Sequence, residues 1–284
     1  MKRKVKIVFF LSLLSTVLQA QTHNISSPRF VRPLVEKWVS DYAKVEPNVS
    51  FKILNGCGCS KDAELSVMPY NPEINDDDHV VYFAEYPILP FTQRGSKAEQ
   101  VLNSKKLNGR RLRDLFFEHD SYIDNSELTK QEKQIRQLTV YSANNGASVS
   151  TPFAQFYQEN VFHLRGRRIS GDDAFLYNAI AKDPEGVSFN ALSNLYDLDS
   201  RQLKDNISLL RLDLSKELED GIAARVSLDD FLTLLQQYPS GDLPTGRVAF
   251  IINGNNEEVR KFIKWILTKG RDQLNDYGLL AIKE

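Results

Sequence analysis

Cysteine is nearly absent. Only Cys57 and Cys59 occur in 284 residues, both in "NGCGCS", which excludes the disulfide framework that holds many small secreted domains together. Histidine is equally scarce: His23, His79, His119 and His163 show no His-x-x-x-His spacing, and no Gly-x-Ser-x-Gly elbow occurs. Neither a helical two-histidine metal site nor the common hydrolase turn is therefore encoded. No cofactor fingerprint and no metal-ligand spacing is present, and an enzyme is not expected. Positive charge is not in excess either. With 36 Lys and Arg against 37 Asp and Glu, the net charge is −1, the wrong balance for a protein that binds nucleic acid or an anionic membrane surface. Beyond the first twenty residues no apolar run approaches the roughly 20 residues that a bilayer span requires.

What is present begins with "MKRKVKIVFFLSLLSTVLQA": a basic start, an apolar run from Ile7 to Leu18, and a small residue at Ala20. This is the pattern of a secretory signal peptide cleaved before Gln21. A periplasmic protein is expected, with secretion as the alternative. The remaining chain has room for one large domain or two ordinary ones, and 42% hydrophobic residues support a packed core. Cys57 and Cys59, one glycine apart, leave three readings open. They fit a strained bridge, a soft-metal or redox pair, or a plain turn.

Periodicity gives the elements. Val31, Leu34, Val35, Trp38 and Tyr42 share one helical face, and "VSFKIL" (49–54) alternates like a strand. "HVVYFAEYPILPF" reads as an apolar strand, and the aspartates Asp76 to Asp78 before it as a solvated turn. Two short helices follow, then an exposed connection from Glu118 to Arg136 and the strand "QLTVYS". "TPFAQFYQENVF" reads as one helix. The basic run Leu164 to Ser170 reads as a solvated turn, and "GDDAFLYNAIAKDPEG" as a helix opened by Gly171 and Asp172. "VSF" and "ISLLRLDL" read as strands, and Ser227 caps "SLDDFLTLLQQY". A buried strand, "GRVAFIING", precedes a helix with Val259, Phe262, Ile263, Ile266 and Leu267 on one face and Gly270 as its cap. Strands alternating with helices predict an α/β fold with mixed sheets.

The order of these features resembles the periplasmic phosphate-binding proteins, the solute receptors of phosphate importers. "FVRPLVEKWVSDYAKVEPNVSFKILNG" is similar to their opening helix and second strand. "LPTGRVAFIINGNNEEVRKFIKWILTKGRDQLNDYGLLAI" is similar to their closing segment. "LNGRRLRDLFF" and "DDAFLYNAIAKDPEGVSF" resemble two stretches between. The resemblance implies a two-lobed periplasmic-binding-protein-like fold of class II, with a hinge between lobes. Projected onto this chain, residues 21–90 plus 244–284 form lobe one and 91–243 form lobe two. Crossing strands are then expected near Tyr86 to Phe91 and Leu243 to Phe250.

The resemblance also implies three ligand loops, each altered here. The first becomes "SPRFVRP": Ser27 remains, Pro28 and Phe30 stand where hydroxyls belong, Pro28 has no N–H to donate, and Arg29 is a substitute cation. The second becomes Gly56, Cys57, Gly58, Cys59 and Ser60, whose glycines suit a nest of N–H donors. Its usual acidic ligand has only Asp62 and Glu64 as candidates. In the third, Ser148, Val149 and Ser150 fall on a Ser-Gly-Thr pattern, with Ser142 or Asn144 near the place of an arginine. Val149 forbids the close approach that glycine permits, and Ser148 or Ser150 equally suits a helix cap. The expected function is an exported solute-binding protein with a diverged anion site, holding a small polar or anionic solute and serving an ABC importer. The alternative is a cell-envelope interaction or scaffold protein that keeps the same fold. A membrane permease or envelope protein is the implied partner, nucleic acid is not, and a monomer is expected.

Overall fold

The computed structural model describes residues 21–54, 62–69, 79–118, 129–144, 149–239 and 241–282. The expected signal peptide, the loop carrying Gly56, Cys57, Gly58 and Ser60, the expected turn at Asp76–Asp78, and Ser148 lie outside the described residues.

The chain opens with β1 (Gln21–Ser26), α1 (Arg32–Val45), β2 (Val49–Ile53), β3 (Leu65–Pro69) and β4 (Val80–Gln93). The strand β1 was not legible: "QTHNIS" is polar, yet it lies between β2 and β3 and is parallel to both. Hydrogen bonding on both sides holds it there, and His23, Ile25 and Ser26 are buried. In α1 the predicted face, Leu34, Val35, Trp38 and Tyr42, is buried, and Pro33 occupies the first turn where no N–H is needed.

The middle of the chain supplies α2 (Lys97–Leu102), α3 (Gly109–Phe116), α4 (Lys130–Gln137), β5 (Thr139–Ala143), α5 (Ser150–Phe156), β6 (Arg167–Ile169), α6 (Ala174–Ile180), β7 (Gly186–Ala191), α7 (Leu192–Leu195), β8 (Ile207–Leu209), α8 (Lys216–Ala224) and α9 (Leu228–Gln237). Several expectations are corrected here. The expected connection before Arg136 contains α4, held by a capping box between Thr129 and Glu132. The single helix after Thr151 is two pieces, α5 and a 3-10 turn at Val161–His163, separated at Gln158, whose φ is 57°. The expected strand at 207–214 is only β8, and α8 follows it unforeseen. The basic run is not a solvated turn. Arg167 and Arg168 lie in β6, and Arg165 turns inward to donate to the carbonyls of Leu115 and of Ile135, the latter at 3.1 Å.

The return is β9 (Thr245–Ile252), α10 (Glu257–Thr268) and β10 (Leu280–Ala281). As foreseen, α10 buries Val259, Phe262, Ile263 and Ile266. Gly270 is no left-handed cap, however. It lies against Trp38, whose Nε1 donates to its carbonyl at 2.9 Å, and a Cβ there would stand 2.7 Å from that nitrogen.

The strands form one curled sheet in the order β2-β1-β3-β9-β4-β7-β5-β6, with β8 and β10 also on β4. The long β4 changes partners along its length. Val80 to Pro87 run antiparallel to β9, whereas Ile88 to Thr92 run antiparallel to β7. Two aromatic cores flank this crossing. On one side Phe83 and Phe250 stack at 4.1 Å beside Trp38. On the other Phe153 and Phe189 stack at 3.8 Å, with Phe116 edge-on.

Candidate functional site

In open α/β sheets, ligands bind beyond the carboxyl ends of parallel strands. Here β1 runs parallel to its neighbours in one half of the sheet, and β5 runs parallel to β6 and β7 in the other. The connections leaving β1, β5 and β6 therefore carry the residues from which a site would be built.

Ser26 ends β1 and Ser27 follows it, both buried and both engaged nearby. Ser26 Oγ donates to Ser66 Oγ at 2.9 Å, and Ser27 Oγ to the Pro28 carbonyl at 3.3 Å. Phe30 then packs edge-on against Tyr86 of β4, with ring centroids 5.3 Å apart. Tyr86 sits where β4 changes partners, and it is buried. Burial, then the charge of Asp173, pushes its phenol well above the ordinary tyrosine range. Thus Phe30, in a place where the resemblance implies a hydroxyl, joins an apolar pair at the crossing strands.

Within β5, Ser142 is fully buried, and its Oγ has no hydrogen-bond partner among the described residues. Asn144 is exposed and donates from Nδ2 to Ser170 Oγ at 3.0 Å, tying the loop after β5 to the loop after β6. Ser150 is fully buried, and its Oγ accepts from the Ala143 N–H at 3.0 Å. It does not cap α5. The residue at that cap is Val149, which has no capping oxygen and is itself buried. Ser150 thus clips the end of β5 to the start of α5 while keeping its own hydroxyl proton to donate.

After β6 come Asp172, which the sequence presents only as part of a helix opening, and Asp173. Asp172 Oδ1 accepts from the Ala174 N–H at 2.9 Å, and the Asp173 carbonyl accepts from Asn190 Nδ2 at 2.7 Å. Arg29, from the loop after β1, brings Nε to 3.9 Å from Asp172 Oδ2. The two halves of the sheet therefore meet through Arg29 and Asp172. The signal that would have exposed Asp172 was the strand before it, and "RRI" is too short and too charged to read as one.

The acid candidate Glu64 is committed elsewhere. Its Oε2 lies 3.0 Å from Nδ1 of the buried His23 and accepts from Asn256 Nδ2, beside the start of α10. The Asp62 carbonyl accepts from Asn24 Nδ2 at 3.1 Å. Among the described residues, no group of three or more His, Cys, Asp or Glu is placed to hold a metal ion. No described helix is long and apolar enough to cross a membrane.

No protein-family model and no curated protein matches the sequence. Solved structures do match in shape. A phosphate ABC transporter substrate-binding protein with bound phosphate from Clostridium perfringens is 15% identical, with a TM-score of 0.62, over 93% of this chain and 100% of the other. An ABC-type phosphate transport receptor from Vibrio cholerae is 11% identical, with a TM-score of 0.56, over 91% and 99%. The chain has a two-lobed, periplasmic-binding-protein-like fold. The same fold serves regulation: a variant of the OxyR2 regulatory domain from Vibrio vulnificus is 8% identical, with a TM-score of 0.53, over 90% and 97%. At identities this low the shared shape establishes the fold alone.

Proposed function

We propose that the protein is an exported solute-binding protein whose site lies in the crevice spanned by Arg29 and Asp172, and that its solute is not phosphate. Lobe one comprises residues 21–90 and 244–284, lobe two residues 91–243, and β4 and β9 form the hinge between them. The carrying observation is the 3.9 Å approach of Arg29 to Asp172, because it brings the connections after β1 and β6 to one place. The solved phosphate-transport proteins of the same fold support a solute-binding role. The loops themselves speak against phosphate. Pro28 offers no N–H, Phe30 offers a ring, and Val149 closes the position that glycine would leave open. Each missing hydrogen bond to a charged group forfeits about 1.5–3 kcal/mol, so a few such losses remove micromolar affinity. The residues assigned to the site are Ser27, Arg29, Ser142, Asn144 and Ser150, with Gly56, Cys57, Gly58, Ser60 and Ser148 from the remaining loops. Delivery to a membrane permease of the ABC class follows from this reading, as does a periplasmic location.

The test is native mass spectrometry and a thermal-shift panel of neutral, zwitterionic and anionic solutes on the chain beginning at Gln21, with calorimetry for any hit. Binding of a small polar solute with negligible phosphate affinity is the expected result. Sub-micromolar phosphate binding would overturn the divergence of the site. A stable envelope partner in crosslinking, with no solute bound, would replace this reading by an interaction or scaffold role.

A further inference from the structure

The C-terminal end of the chain, part of lobe one, is held by lobe two. After α10 a 3-10 turn at Asn275–Tyr277 leads into β10. That strand pairs with Ala84 and Glu85 of β4, just ahead of the place where β4 changes partners. Gly278 ends the turn at φ 71° and lies on α7, so close that a Cβ would stand 3.1 Å from the backbone nitrogen of Ser193. Because α7 follows Ala191, the sheet partner of Ile88, the C-terminal turn bridges the hinge beside β4.

Arg201 fastens this bridge. Its guanidinium donates to the carbonyls of Asn275, at 2.8 Å, and of Asp276, and also to the Asp229 carboxylate of α9 at 2.6 Å. The backbone is set for this reach. Tyr196 and Leu203 pair across the preceding turn, Asp197 Oδ1 accepts from the Ser200 N–H, and the Arg201 carbonyl accepts from the Leu228 N–H at 2.8 Å. Arg201 itself stands at φ 62°, a left-handed conformation that a non-glycine residue keeps only where its surroundings enforce it. The same part of lobe two extends to the crevice. Lys204 donates to the Asn194 carbonyl at 2.7 Å, Asn194 Nδ2 to Asn190 Oδ1 at 2.9 Å, and Asn190 Nδ2 to the Asp173 carbonyl. Thus α7 is bonded to the segment of the clamp on one side and to the loop after β6 on the other.

We propose that Arg201 is a hinge latch, which locks the C-terminal turn of lobe one onto lobe two and must let go before the lobes swing apart. Rotation about β4 and β9 moves one lobe against the other. A guanidinium fixed to α9 cannot follow carbonyls that travel with the opposite lobe. The latch rests on the lobe boundaries given above and on no particular solute.

The experiment combines hydrogen exchange by mass spectrometry with small-angle X-ray scattering on the chain from Gln21. Arg201→Met keeps an apolar stem and removes every donor. Exchange in the segment of Gly278 and Leu279, whose amides bond within the turn, should quicken about tenfold or more. The radius of gyration should rise as the lobes sample wider angles. Asp229→Asn leaves the guanidinium without the charge that aims it, so both effects should appear and be smaller. Arg113→Met, which removes an ion pair of the same 2.6 Å length inside lobe two, should produce neither. Unchanged exchange, faster exchange at an unchanged radius, or equal effects in Arg113→Met would each overturn the latch. If Arg201→Met does not fold, Asp229→Asn against Arg113→Met decides by the same outcomes. A solute found for the wild-type chain, with no effect of Arg201→Met, sinks the latch and leaves the binding reading. A latch effect in a chain that binds no solute removes that reading alone.

Discussion

Tyr86 of β4 covers Gly246 of β9 so closely that a Cβ on the glycine would overlap both Cζ and the hydroxyl oxygen of the tyrosine. The two residues are direct partners in the antiparallel ladder. Their contact lies beside the point where β4 passes from one half of the sheet to the other. Gly246→Ala must therefore displace a buried aromatic ring, at a cost of about 1–3 kcal/mol or more. Denaturant unfolding should show that loss. Tyr86→Leu in the same chain should recover part of it. If Gly246→Ala is as stable as the parent, the packing of the crossing strands is misread.

The stacked pair Phe153 and Phe189 joins α5 to β7. Both side chains are fully buried, and the rings lie 1° from parallel at 3.8 Å. Phe153→Ala should cost about 3–5 kcal/mol by leaving a cavity. Because α5 follows the loop after β5, the same change should also weaken any solute bound there. Chemical denaturation and calorimetry on one preparation separate the two effects.

Acid should act through Asp41. Hydrogen bonds from Lys37, then from Lys44 at 2.8 Å and Gln273 at 2.9 Å, hold its carboxyl far below the usual range. A depressed folded value means that the stabilisation is fully present above the unfolded value of about 4 and is lost as pH falls below it. After solvent screening it amounts to about 1 kcal/mol or less. Asp41→Asn should thus be less stable than the parent at pH 7, with the gap closing below about pH 4. A gap that stays constant from pH 7 to pH 3 would refute the ion-pair account.

Arg165 belongs to the architecture rather than to a polyanion site. Its guanidinium donates to main-chain carbonyls of Leu115, Ile135 and Arg136, and burial lowers its pKa. Lysine cannot reproduce this planar fork. Arg165→Lys and Arg165→Met should each destabilise the protein by about 1.5–3 kcal/mol, since donors to these carbonyls are lost. Arg168→Gln, which loses a solvent-exposed donation to the Phe162 carbonyl at 2.6 Å, should cost less than either. Equal thermal midpoints for all three would show that Arg165 is only a surface charge.

Local pattern made the amphipathic elements readable. Trp38 and Tyr42 on α1, Phe262 and Ile266 on α10, and the Ser227 cap of α9 all declare themselves within a turn or two, because a helix repeats its environment every three or four residues. The apolar runs of β4 and β9 were legible for the same kind of reason. With them came the α/β class. The polar strand β1, the short charged β6, the inward Arg165 and the meeting of Gly270 with Trp38 were decided by tertiary structure. Each depends on a partner far away in the chain, and no local period records such a partner. The candidate site belongs to this second group. Ser27, Asn144 and Ser150 are implied by the family resemblance, but that Asp172 stands against Arg29 follows only when two halves of a sheet fold toward one another. Charge acts through space, and its neighbours are set by the fold.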